Sequence, residues 1–219
     1  MMKRMGICLT RNGRSDGGGL FSRMVLRPIF IGAGALLVAS CHSPAEESEI
    51  SGVAAEEICG GILAADAATA LEDLSGMTQF GELPEDPAIE LSNSIARLRS
   101  AEPGEEKICS VYALPDSDLP SVTISFEWVL PNFSGDGRRY DTGMNATVLP
   151  NTAIIAFRCE GEDYPSEKVM LGRLSIRSGA GTSEGRMAIV NSASRAVAEE
   201  LGCLDESGLV EGVPQPLGD

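Results

Sequence analysis

Few residues in this sequence are equipped for chemistry: one histidine, six cysteines, a surplus of carboxylates and the adjacent pair Arg138 and Arg139. A Ser-His-Asp or Cys-His mechanism needs an imidazole to take the nucleophile's proton. The single histidine is His42, next to Cys41 in a polar stretch, so hydrolysis of that kind lacks its base. No two cysteines are spaced Cys-x-x-Cys and no second histidine completes a zinc set, so no metal is expected. Phosphate-binding and dinucleotide-binding glycine motifs are missing, so no cofactor is expected either. Among the acids, paired carboxylates of the kind that cleave glycosides remain open. Asp116 and Asp118 offer weak calcium ligands without the ligand series of a dedicated loop; a solvated acidic surface is the plainer reading of both. Arg138 and Arg139 stand in a glycine-rich stretch of an acidic protein, where they are candidate contacts for an anionic ligand or partner.

Cys41 is different, because its surroundings assign it a role. Basic residues up to Arg27 precede an apolar run from Pro28 to Ser40 that ends in small side chains. That order is the order of a secretory signal peptide, and the run is shorter than the roughly 20 residues of a spanning helix. Leu37-Val-Ala-Ser-Cys41 resembles the lipobox of bacterial lipoproteins. The resemblance implies cleavage between Ser40 and Cys41, with lipid of the palmitate type on the cysteine. Two or more acyl chains turn transient membrane contact into stable anchoring. Residues 1–40 are thus expected to be a lipoprotein signal peptide, with Met24 an alternative start to Met1, and residues 41–56, polar and acidic, a flexible tether. The expected location is the cell membrane, on its extracytoplasmic face.

Charge divides at the same cysteine. Residues 1–40 carry six Lys or Arg and one acid, against a whole-chain total of 17 basic and 32 acidic residues, which leaves a formal −20 on the remainder. Such a surface repels phosphate backbones, and nucleic acid is excluded as a partner. The expected partners are the membrane, through the N-terminal lipid, and a protein or other component of the cell envelope.

Cys8 lies in the leader and Cys41 takes the lipid, which leaves Cys59, Cys109, Cys159 and Cys203. An even number outside the cytoplasm points to two disulfides. Four cysteines allow three connectivities; Cys59 with Cys109 and Cys159 with Cys203 is favoured, because each pair would tie a helix to a strand.

The elements that must position these residues follow from apolar spacing. Leu63, Ala67, Leu71 and Leu74 mark one face of a helix ended by Gly76. Asp86-Pro87 starts a second, with Ala88, Leu91, Ile95 and Leu98 inward and Pro103-Gly104 beyond its end. Alternation of Val122, Ile124, Phe126, Trp128 and Leu130 against Thr123, Ser125 and Glu127 predicts a strand with Trp128 in the core. Weaker strand signals cover 107–114, 152–160 and 169–177, and the glycine-rich 132–143 reads as a loop. A third helix follows Ser183 as N-cap, with Val190, Ala193, Val197 and Leu201 inward and Gly202 at its end, and residues 205–219 read as a disordered tail. The expected fold is α+β: one domain over 57–204, an antiparallel sheet of about four strands covered on one face by helices, with two disulfides.

Three segments carry a family resemblance: Ile58-Cys-Gly-Gly-Ile-Leu63, Phe157-Arg-Cys-Glu160, and Met187 through Asn191-Ser-Ala-Ser-Arg to Cys203. They look like segments of uncharacterised lipoproteins of actinomycetes such as Streptomyces. That resemblance spans most of the exported domain and implies no activity. With catalytic motifs wanting, the expected function is a non-catalytic binding or interaction module at the cell surface. The alternative is a carboxylate-dependent envelope hydrolase, which requires two buried acids facing a cleft, about 5 to 9.5 Å apart.

Overall fold

The computed structural model describes residues 52–81, 91–101, 103–113, 119–133, 136–161, 164–177 and 181–218. All belong to one compact unit, Glu46–Asp219. The leader, Ser40, Cys41, His42, Asp86-Pro87, Asp116 and Asp118 lie outside the described residues. No described helix is long and apolar enough to cross a membrane.

The fold is α+β. A six-stranded antiparallel sheet has the order β3-β4-β8-β7-β6-β5, and a separate two-stranded sheet joins β1 (Val53–Ala54) to β2 (Gln79–Phe80). The main-sheet strands are β3 (Glu106–Val111), β4 (Val122–Val129), β5 (Arg138–Arg139), β6 (Asn145–Leu149), β7 (Thr152–Phe157) and β8 (Val169–Ile176). The helices are α1 (Ala65–Ser75), α2 (Leu91–Arg99) and α3 (Ser183–Leu201). Helix α3 lies on β6, β7 and β8, α1 stacks on α3, and α2 covers β3 and β4.

The alternation in β4 puts Val122, Ile124, Phe126 and Trp128 against the helices, as its period requires. The Trp128 indole donates to the Leu98 carbonyl at 2.8 Å, which satisfies its N–H where α2 crosses the strand. Helix α3 buries residues over most of its circumference, because it is packed between the sheet on one side and α1 on the other. Its N-cap is Thr182, whose hydroxyl accepts from the Gly185 N–H at 3.0 Å, one residue earlier than the expected Ser183. Helix α1 has no capping side chain of its own. Ser192 of α3 supplies the contact, its hydroxyl accepting from the Ala64 N–H at 2.8 Å and donating to the Ile62 carbonyl at 3.1 Å.

Both favoured disulfides are present. Cys59–Cys109 joins the turn before α1 to β3, with Cα atoms 5.3 Å apart, and Cys159–Cys203 joins the end of β7 to the end of α3, at 5.0 Å.

The chain's ends and the sheet's size depart from expectation. Residues 53–56, expected in the tether, belong to the fold: Val53–Ala54 pairs with β2 and Ala55 is buried. The main sheet has six strands rather than about four. Residues Asn145–Leu149 form β6, hairpinned to β7 across Pro150-Asn151, and Arg138–Arg139, expected in a loop, form the edge strand β5. Residues 205–218, expected as a disordered tail, form a strap over the β5 edge. Pro216 pairs with Tyr140, the Asp141 N–H donates to Gln215, and the Leu217 N–H donates to Arg139. Proline is tolerated there because an outermost strand needs no donor at every position. Asn191, buried on α3, clamps the strap by donating to Val210 at 2.9 Å and Gly212 at 3.1 Å while accepting from the Thr142 hydroxyl at 2.8 Å. A buried amide satisfied in this way favours one arrangement of the segment, since leaving it unmade costs about 1–3 kcal/mol.

Candidate functional site

Since α1, α2 and α3 all serve one face, the other face of the sheet carries no described helix. Strand register sets what it displays. Successive cross-strand partners place Lys107, Ser125, Arg173, Ile154, Thr147 and Arg139 in a single row from one side of the sheet to the other. In the adjacent row Glu127, Leu171, Ala156 and Asn145 are partners in turn. Beyond β4 the chain turns back and sets Phe133 over Ala156, Val169 and Leu171, with Val129 and Ile154 alongside, a small apolar cluster separate from the main core.

These features bound a groove of about 560 Å³, within the range of roughly 300 to 1,000 Å³ common for small-molecule sites. Its apolar lining comes from Val129, Phe133, Leu149, Ile154 and Leu171, and its polar lining includes Asn132, Asn145, Thr147 and Thr152. Three charged side chains reach it: Glu127, Arg173 and Arg139. Arg173 donates to Glu127 at 3.0 Å, and its Nε lies 4.0 Å from Glu105. The Thr147 hydroxyl donates to the Asn145 amide oxygen at 3.2 Å.

The structure separates the two arginines that the sequence joins. Neighbours on a strand point to opposite faces, so Arg139 lines the groove while Arg138 turns to the helix side and pairs with Glu184 of α3 at 2.8 Å. Arg138 also lies 5.9 Å from the centre of the Tyr140 ring. Burial, followed by the nearby Glu184 charge, pushes the Tyr140 phenol above its ordinary value, with Arg138 opposing. Arg138 is thus part of the scaffold. Among the described residues, no carboxylate lies within ion-pair distance of Arg139.

Of the remaining candidates, Cys59, Cys109, Cys159 and Cys203 are bridged, and Trp128 is in the core, its ring 5.4 Å from that of Tyr164. The pair of buried acids needed for glycan hydrolysis is not found: among the described residues no Asp or Glu is buried. Nor does any described group of three His, Cys, Asp or Glu side chains form a metal cage. The groove itself escaped sequence reasoning. The outward residues of β4 were legible, but β6 and the return of Phe133 were not, and these make a flat face concave. A signal for β6 was available in Pro150-Asn151, a turn between two alternating runs.

No protein-family model matches the chain, and neither does any curated protein or solved structure.

Proposed function

We propose that this protein is a lipoprotein held through Cys41 on the extracytoplasmic face of the cell membrane, and that its domain is a non-catalytic binding module for a component of the cell envelope. The binding reading is carried by one observation: a sheet face free of described helices, concave, part apolar and part polar, with Arg139 free of any described carboxylate. The anchor rests on the leader and on the lipobox-like Leu37 to Cys41. Two disulfides suit an oxidising compartment outside the cytoplasm.

Each half has its own experiment. Cells fed radiolabelled palmitate are expected to label the wild-type protein and not Cys41→Ser; a variant that still labels sinks the anchor. For the binding face, a photo-reactive residue replacing exposed Asn132, at the groove, is expected to crosslink an envelope component in intact cells. The same residue replacing Asp73, exposed on α1, is expected to capture none. Equal yields from the two positions would remove the groove from the proposal.

A further inference from the structure

The groove departs from the acidic character of the molecule around it. The whole chain carries a formal −15, yet the groove is lined by two arginines and one glutamate. Glu127 at 3.0 Å and Glu105 at 4.0 Å offset Arg173, so the positive charge without a described acid partner is that of Arg139. In the row Arg173–Ile154–Thr147–Arg139 the two arginines are three strand spacings apart, about 14 Å. Apolar surface from Ile154 and Leu171, with Phe133 packed beside it, lies on the Arg173 side of Thr147, and the Asn145 amide and Thr147 hydroxyl lie near Arg139. A cationic head at one end of an apolar floor therefore has polar groups beside it, while the arginine at the far end is held by two carboxylates.

From this layout we infer that the groove binds a monomeric, singly charged anionic amphiphile of the fatty-acid type. The inference rests on the binding-module reading and names its ligand class. The carboxylate pairs with the Arg139 guanidinium and takes a hydrogen bond from the Asn145 amide NH2, whose oxygen the Thr147 hydroxyl already holds, and the hydrocarbon lies along Ile154 and Leu171 beside Phe133. A neutral apolar ligand would desolvate Arg139 without giving it a partner. A cation would meet Arg139 with no free acid to offset it. A polyanion would gain from one arginine only and would face Glu127 and the acidic surface beyond.

The test uses the full-length protein in isolated membranes and a diazirine derivative of dodecanoic acid. Illumination is expected to label peptides from β6, β7 or β8 that line the groove. Excess dodecanoate should compete, while dodecanol and dodecylammonium should not. Arg139→Gln is expected to reduce labelling about tenfold, the effect of losing one charge-assisted contact. Arg138→Gln, which alters the opposite face, should label as wild type and so control for folding. The inference is overturned if Arg139→Gln labels as well as Arg138→Gln, if dodecanol or dodecylammonium competes equally, or if the groove peptides carry no label. It is also overturned if phosphatidylglycerol vesicles compete where dodecanoate does not, since the site would then read a lipid surface. Should labelling fail while the Asn132 crosslink succeeds, the binding face stands and the ligand class falls; if both fail, both readings fall.

Discussion

Gly172→Ala is expected to destabilise the domain by about 2–3 kcal/mol, a large effect for one methyl group. Gly172 is in the middle of β8, where the sheet meets α3. A Cβ there would stand 2.7 Å from the Phe126 ring and 2.8 Å from the Ser194 hydroxyl. The two neighbours differ in how they can respond. Ser194 can rotate its hydroxyl away, whereas Phe126 is fully buried in the same core and has nowhere to turn. The ring therefore sets the penalty, and Gly172→Ala combined with Phe126→Leu is expected to be less destabilised than the two single changes added together. Urea unfolding of the four proteins measures this coupling. If Gly172→Ala unfolds within about 0.5 kcal/mol of wild type, the helix and sheet are not as close as described.

Loss of both disulfides should have the larger effect. The bridges span 50 and 44 residues, and loops of that size are expected to contribute about 4 kcal/mol each through the restricted unfolded chain. Single domains are stable by roughly 5–15 kcal/mol in total. Reduction of both is therefore expected to leave the domain largely unfolded at physiological temperature, with each single bridge removal lowering Tm measurably. A melting curve unmoved by reductant, with four free thiols confirmed, would contradict this. So would four reactive thiols in the unfolded, unreduced protein.

How much of this was readable beforehand depends on where each element gets its order. Strand β4 and the C-terminal end of α1 carry local signals: strict alternation, and a glycine at the helix end with φ of 70°. The favoured cysteine pairing followed from tying a helix to a strand with each bridge. By contrast, the start of α1 is capped by Ser192, 128 residues away, which no local pattern can report. The 205–218 strap has the glycine and proline content of a disordered segment, and its order comes from Asn191 and from the backbone of β5, both remote in sequence. The site shows the same division. The composition marked Arg138 and Arg139 as unusual, but reading them in a loop hid the alternation that sends one to Glu184 and the other to the groove.

The two disulfides also decide how this domain would carry tension along its own chain. Pulled from its two ends, the N-terminal side would first strip β1 from β2, and within a few residues the load would pass at Cys59 across the bridge into Cys109 on β3. On the other side the strap would peel as far as Cys203, and the load would cross to Cys159. Residues 60–108 and 160–202, which hold the three described helices and the central strand β8, are bypassed by the force. Only the stretch between Cys109 and Cys159 can be drawn out. Reduced protein is therefore expected to extend further than oxidised protein by roughly 300 Å of contour, a difference that single-molecule stretching resolves. Were the domain anchored at a membrane as proposed, the bridges would work as seat belts: drag on its N-terminal side would open a strand pair without reaching the helices.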